Sequence, residues 1–324
     1  MTARALVVGG SGFIGRHLLR TLAAQGNYHR IDSIDLVEPE ERVPSVAYHR
    51  LDATRTLPET LADETTTIYN LAAHRTFPGF ADAEYFRTNV GSTERVLELA
   101  ERTRVRRIVF TSTMSVYRPG DDAKTETSQI DPVNAYGASK VEAERLHDLW
   151  LDAEHDRQLV ICRPAVIFGF RDNGNFTRLS RALEKGYFVF VGRRDTIKSC
   201  GYVCDLIDSF DFAIQRQERK IIYNFSYPER YTIEEIVEAF CSVANYRRPR
   251  LVLPRGLLQL AALPFELGNA IGLKNPIHRK RLTKLNEATN IIPKWLMDQG
   301  FVFKTDLRSA LESWYRDSGS REFL

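Results

Sequence analysis

Residues 4–25 read RALVVGGSGFIGRHLLRTLAAQ. The run opens on apolar residues, breaks at Gly9, Gly12 and Gly15, spaced three apart, and continues with Ile14, Leu18 and Leu22 on one helical face. A strand that turns through glycine straight into a helix leaves the first helical N–H groups unpaired, and the positive end of the helix dipole beside them favours a pyrophosphate. Glycine allows both the tight turn and the close approach of backbone to the ligand. The stretch therefore predicts a dinucleotide-binding strand–turn–helix unit, with Phe13 and Ile14 against the cofactor alongside the three glycines.

Twenty residues past Gly15, at the end of the second expected strand, stands Asp35. It is placed to accept hydrogen bonds from ribose hydroxyls, and its charge repels a 2′-phosphate, so NAD is the expected cofactor. Arg42 nearby leaves NADP open. Further along, RALVV, HRIDSIDL, SVAYHRL, TTIYNLA, RRIVFTS and LVICRP read as strands, while 13–25 and 84–103 carry helical periods, the second through Val96, Leu97 and Ala100. Alternating strand and helix predicts an α/β fold with a parallel sheet covered on both faces.

The rhythm breaks after about residue 165, at GFRDNGNF (169–176) and the aromatic GYFVFVG (186–192). It returns with a strand at IIYNFS (221–226) and a helix at TIEEIVEAF, where Thr232 and Glu235 suit a capping box. The expectation is a Rossmann-type doubly wound parallel sheet over 1–165 and a smaller C-terminal α/β substrate-binding part over 166–324. The two interleave, with 221–245 returning to the first.

Composition narrows the function. The chain has 324 residues, 43% hydrophobic and 27% charged, enough for one main core with an appendage. A net charge of +3, from 45 basic and 42 acidic residues, does not suit a nucleic-acid partner; the basic run RTRVRRIVF (102–110) reads as the solvated end of a helix entering a strand. Four cysteines, at 162, 200, 204 and 241, are too scattered for a disulfide framework and suggest reduced thiols, and no metal site is expected. The opening MTARALVVGG enters a strand at once, leaving no room for a signal peptide, so a cytoplasmic location is expected. No stable membrane span is expected either: the most apolar run, 256–273, is broken by Pro264 and carries Glu266 and Asn269, which suits a packed helix pair.

Tyr136 and Lys140, in NAYGASKVEAERL (134–146), are one helical turn apart. A cation beside a phenol stabilises the phenolate and makes tyrosine a proton shuttle near neutral pH, although this spacing also arises by chance in many helices. Its neighbours decide. GGSGFIG (9–15), LDA (51–53), NLAA (70–73), TNVGST (88–93), TSTMSVY (111–117), YGASK (136–140), RPAVIFG (163–169) and YVCDL (202–206) resemble, in order and spacing, the extended short-chain dehydrogenase/reductases, the NAD-dependent epimerase/dehydratase group.

That resemblance implies roles for particular residues. Tyr136 is the acid/base, Lys140 its electrostatic partner and ribose anchor, and Thr113 the hydrogen-bond partner of the reacting oxygen. Asp52 and Ala53 lie against the adenine, Leu71, Ala72 and Ala73 line the cofactor cleft, and Asn89 belongs to the same cofactor-binding set. Asn175, at the start of a helix, together with Lys198 and Arg279 or Arg281, are the expected diphosphate contacts, and His74 and Arg75 point toward the cleft entrance.

Departures from relatives exclude some chemistries. The 4,6-dehydratases carry an Asp-Glu pair where Met114 and Ser115 stand; decarboxylating members have a glutamate at the Ser115 position, and 3,5-epimerase/reductases a cysteine at the Met114 position. What remains is redox at a secondary alcohol, at C4 of a nucleotide-linked sugar: a 4-epimerase, or a ketoreductase or dehydrogenase. The leucine-rich 254–276 also resembles the 3β-hydroxysteroid dehydrogenase branch, which acts on apolar alcohols, and the family includes non-catalytic cofactor sensors and RNA-associated subunits. Helices near 85–103 and 134–154 correspond to a pair that joins two subunits in similar proteins. A homodimer is therefore expected, with Leu146, Leu149 and Trp150 close together on one side of the second helix.

Overall fold

In a computed structural model, which describes residues 3–63, 66–75, 79–254 and 287–324, the opening stretch folds as its pattern dictates. Strand β1 (Arg4–Val8) turns into helix α1 (Phe13–Gln25), followed by β2 (Arg30–Asp35), β3 (Val46–Arg50) and β4 (Thr67–Asn70). Helix α2 (Asp82–Tyr85), a π-helical turn (Phe86–Val90) and α3 (Gly91–Arg102) lead to β5 (Arg107–Thr111), a 3-10 turn (Met114–Val116) and β6 (Gly120–Lys124). Then come α4 (Ala135–Ala153), β7 (Gln158–Pro164), β8 (Val166–Phe168), α5 (Asn175–Glu184), β9 (Phe190–Val191), β10 (Cys200–Tyr202), α6 (Val203–Ile214), β11 (Lys220–Phe225) and α7 (Ile233–Ala244). The described chain closes with β12 (Val252–Leu253), β13 (Thr289–Ile291), α8 (Lys294–Asp298) and α9 (Leu307–Asp317).

Seven strands form one parallel sheet in the order β11-β7-β5-β4-β1-β2-β3. Alternation along β1 explains its two faces. Ala5 and Val7 join a core with Leu18, Leu22, Leu206 and Phe210 from α1 and α6, whereas Leu6 and Val8 join a second core with Val96, Leu99 and Ala143 from α3 and α4. The first core continues without a break into Phe168, Phe176, Phe240 and Trp314, so the C-terminal elements are built onto the sheet rather than around a core of their own.

Two local features differ from the sequence reading. The helix expected over 84–103 is interrupted by the π-helical turn, a deformation common at functional sites. Leu146, Leu149 and Trp150 do not share one surface: Trp150 is buried under the Arg157 guanidinium, while Leu149 is 55% exposed. Adjacent helical positions differ by about 100° in direction, so one faces the sheet and the next faces out. Among the described residues, no helix is long and apolar enough to cross a membrane. The leucine-rich 256–273 lies outside the described residues.

Candidate active site

The strand order reverses between β1 and β4, and an open α/β sheet leaves a crevice there beyond the carboxyl ends of its strands. The loops after β1 and β4 close on each other at that point. Gly9 has φ +88°, and a Cβ on it would come within 2.9 Å of the Ala72 nitrogen. One on Gly15 would meet the Gly9 carbonyl oxygen at 2.3 Å. Glycine is thus required by contact as well as by conformation, and the backbone of Leu71 and Ala72 packs directly on the glycine turn, with Ala73 next in the chain. No side chain caps the N-terminus of α1, as suits a helix end that receives a phosphate.

Asp35 braces this turn from β2. One of its oxygens accepts from the Ser11 backbone N–H at 3.0 Å and the other from that of Val37 at 3.2 Å. Arg42, the residue that left NADP open, pairs with Glu38 at 2.8 Å and lies over the Tyr48 ring. Glu40 and Glu41, also in this loop, pair with Arg16 and Arg20, so the charges around the turn are matched and Asp35 is the carboxylate left facing the glycine turn. Asp52 turns the chain after β3 by accepting from the Thr54 N–H and hydroxyl, which hold its carboxyl below the usual range; Ala53 follows it, half-buried. Phe13 and Ile14 are half-buried at the start of α1. The turn, the uncapped helix and the acceptor on β2 together fit an NAD.

The candidate reacting groups, Thr113, Tyr136 and Lys140, lie just after β5 and on α4. Thr113 accepts from the Ser115 N–H at 3.1 Å and so caps the 3-10 turn after β5, while Asn134 caps α4 by accepting from the Gly137 N–H at 2.9 Å. The two caps abut: a Cβ on Gly137 would lie 2.2 Å from the Ser115 carbonyl oxygen. This contact brings the first turn of α4, and with it Tyr136, against Thr113. Burial pushes the Tyr136 phenol up, and the facing Thr113 hydroxyl and the Arg75 charge pull it back. Lys140 is 1% exposed, with Nζ lying 4.1 Å from the centre of the Phe110 ring, and burial brings it down to about 7 although Glu144 works against this. Arg75 is thus a cation that acts on the Tyr136 phenol, and the Lys140 ammonium lies on the Phe110 ring of the sheet.

Asn89, expected among the cofactor-binding residues, bonds within the chain to the loop after β4 and to α4. Its Oδ1 accepts from the His74 N–H at 2.7 Å, and its Nδ2 donates to Ser139 Oγ at 2.9 Å and the His74 carbonyl at 3.3 Å. Its amide thus ties the loop after β4 to α4. His74 stacks on Phe80, with ring centres 4.0 Å apart, and Arg75 reaches across to donate to Asn173 Oδ1. Asn175 starts α5, is exposed, and accepts from Arg178 at 2.7 Å. The Lys198 ammonium donates to the Glu287 carbonyl at 2.6 Å and is brought down to about 8 by burial, opposed by Glu287. Arg279 and Arg281 lie outside the described residues.

Sequence reasoning missed Gly137 and the polar group behind Lys140: Ser112, Glu144 and Arg163, all buried. Glu144 follows Lys140 by one turn, and Arg163 interrupts the apolar LVIC, so each breaks the pattern of a core-facing element.

A switch-point crevice with a glycine turn, a carboxylate at the end of β2 and a Tyr-x-x-x-Lys helix packed on the sheet edge defines a dinucleotide-binding fold of the oxidoreductase type. Residues 5–226 match the model of the NAD dependent epimerase/dehydratase family, and the chain belongs to that family, with NAD as its cofactor. It is 28% identical to the N-acetyl-alpha-D-glucosaminyl-diphospho-ditrans,octacis-undecaprenol 4-epimerase of Escherichia coli O157:H7 over 316 residues, 96% of this chain and 94% of that protein. It is also 32% identical to a Mycobacterium tuberculosis 3 beta-hydroxysteroid dehydrogenase/Delta 5-->4-isomerase over 231 residues, 65% of this chain and 60% of the other. Among solved structures, the UDP-glucuronic acid 4-epimerase of Bacillus cereus in complex with NAD is similar with a TM-score of 0.77 at 20% identity, covering 98% of this chain and 99% of that one.

Proposed function

We propose that the protein is an NAD-dependent 4-epimerase of a sugar carried on a diphosphate. The observation that carries this reading is Tyr136 held against Thr113, with Met114 and Ser115 in place of any acidic pair beside them. Those groups move one proton at one oxygen and offer no second acid or base for elimination. NAD, when bound, supplies reversible acceptance of a hydride from the carbon that carries that oxygen. Tyr136 takes the proton of the C4 hydroxyl as the C4–H bond breaks, Thr113 holds the resulting carbonyl oxygen, and Tyr136 returns the proton after the ketone has presented its other face. Sugar and cofactor leave with their electron count unchanged.

The diphosphate is supported by Arg75, by the exposed Asn175 at the start of α5 and by the half-buried Lys198, together with the nearly full-length similarity to an enzyme of diphospho-undecaprenol-linked sugar. A nucleotide carrier, the first expectation from sequence, and a polyprenyl carrier share this chemistry. The apolar-alcohol alternative draws on the similarity to the steroid dehydrogenase over 231 residues. We place the protein in the cytoplasm as a homodimer, a reading supported by four unpaired thiols and the exposed Leu149.

The test presents UDP-N-acetylglucosamine, UDP-glucuronic acid, undecaprenyl diphospho-N-acetylglucosamine and a 3β-hydroxysterol to the protein with NAD. A C4 epimer formed without net NADH, and abolished by Tyr136→Phe while NAD still binds, supports the reading and identifies the carrier. NADH accumulating with the sterol alone overturns it.

A further inference from the structure

Glu144 sits one turn beyond Lys140 on α4, 7% exposed, and every hydrogen bond it makes reaches a different element of the sheet edge. Arg163 from β7 grips it with Nε at 3.0 Å on one oxygen and Nη2 at 2.6 Å on the other, and the Ser112 hydroxyl, from the residue next to Thr113, donates to the first oxygen. Arg163 in turn donates to the Tyr117 phenolic oxygen at 2.9 Å, and that hydroxyl donates to Asn224 of β11 at 2.9 Å. One carboxylate thus joins the helix that carries Tyr136 and Lys140 to the strand end that carries Thr113.

We propose that Glu144, clamped by Arg163 and Ser112, is a positioning residue that fixes Thr113 relative to Tyr136 and favours the ammonium form of Lys140. This rests on the Tyr136–Lys140 reading of the site and not on the identity of the sugar. The groups around Lys140 leave the task to Glu144. From β5 it meets the Phe110 ring, on which His147 of α4 also stacks. His147 Nδ1 faces the Ala143 carbonyl, which only accepts, so Nδ1 carries the hydrogen and Nε2 faces the Asn70 amide from β4. Burial brings His147 down to about 3, so it stays neutral and supplies no charge. Tyr136, one turn before Lys140, is an un-ionised phenol, and the Arg163 charge is matched by Glu144 itself. Glu144 is the carboxylate that opposes the loss of the Lys140 proton.

The sign follows. Burial favours neutral Lys140 and Glu144 favours the ammonium, so removing the carboxylate moves the loss of the proton to lower pH. Calorimetric titration of NAD into the full-length protein reads this, because in the Tyr136–Lys140 reading the ribose draws the ammonium from its place on the Phe110 ring and only the protonated form is offered as donor. Two variants are compared with wild type: Glu144→Gln, and the double variant Glu144→Met with Arg163→Met, which leaves no orphaned buried cation and is expected to remain folded. In both, NAD affinity is expected to match wild type within about twofold near pH 5.5 and to be at least about threefold weaker near pH 8, since the variants lose the proton earlier. Affinity curves parallel to wild type at all pH values, whether lowered or not, would mean that the clamp is structural only, and would overturn the proposal. Thermal melts of both variants establish that folded protein is being titrated.

Discussion

Gly137→Ala tests whether the contact between α4 and the turn after β5 sets the reaction geometry. The added methyl would stand 2.2 Å from the Ser115 carbonyl oxygen, and real Cβ contacts are essentially never under 3.0 Å, so α4 or the turn must move by at least 3.0 − 2.2 = 0.8 Å. Neither side gives easily. The obstructing atom is backbone, Thr113 caps the turn from one side, and Asn134 bonds to the Gly137 N–H itself. A displacement of about 1 Å in reacting groups costs on the order of 100-fold in rate, equivalent to about 2.7 kcal/mol of transition-state stabilisation. The glycine turn that holds NAD is on β1 and α1 and is not displaced. The expected result is a kcat lowered by about 100-fold with NAD affinity within about threefold of wild type, measured by epimer formation and by calorimetry on protein whose circular dichroism is unchanged. Wild-type turnover in the folded alanine variant would refute the reasoning.

Asp35→Ala is expected to weaken NAD and narrow its advantage over NADP, because the acceptor on β2 and its repulsive charge are lost together; unchanged selectivity in a titration of both cofactors would reduce Asp35 to a brace for Ser11. Asp32 is fully buried, and burial alone would raise its carboxyl, but hydrogen bonds from Arg30, His49 and Arg4 outweigh this and hold it below its usual value. A depressed folded-state value contributes stability above the unfolded-state pKa, and that stability is lost as pH falls through the folded value, so the loss belongs to the acid limb. Asp32→Asn should cost about 3–5 kcal/mol in urea unfolding near neutral pH and flatten that limb, and a variant as stable as wild type would contradict it. Leu149→Glu is expected to convert a dimer to a 37.1 kDa monomer in light scattering without lowering the monomer's helix content, and a wild-type protein that is already monomeric would reject the dimer.

What the sequence carried best was whatever depends on local period and spacing. RALVV followed by three glycines and a helical stripe has one low-energy outcome, and the alternation of short apolar runs with helices leaves little choice but a parallel sheet. The positions of Asp35, Thr113 and Tyr136 at strand or helix ends followed from the same rhythm. Illegible were the features that depend on which atoms meet across elements. Nothing in TNVGST says that the Asn89 amide bonds to His74 and Ser139, because its partners are 15 and 50 residues away. Nor does YGASK say that Lys140 lies on the Phe110 ring while Arg75 acts on the phenol, since the i,i+4 rule places two side chains on one face without fixing their rotamers.

Helix α4 shows why the catalytic edge resisted reading by hydrophobic pattern. Its sheet-facing side buries Ser139, Lys140, Glu144 and His147 together with Ala143, Trp150 and Leu151, so polar residues occupy places where the helical period asks for apolar ones. Each has an identifiable answer to its desolvation: Ser139 meets Asn89, Glu144 meets Arg163 and Ser112, His147 meets the Ala143 carbonyl, and Lys140 lies on an aromatic face. Such a stripe is a poor source of stability, because a buried ion pair replaced by apolar side chains of similar volume leaves a protein about as stable or more so. The apolar helical pattern that specifies the fold does not encode it. The proposed mechanism gives it a use: a proton on Tyr136 and a charge on Lys140 would have to be held in fixed places away from water, and fixed charge in a buried site requires partners that are themselves buried and fixed.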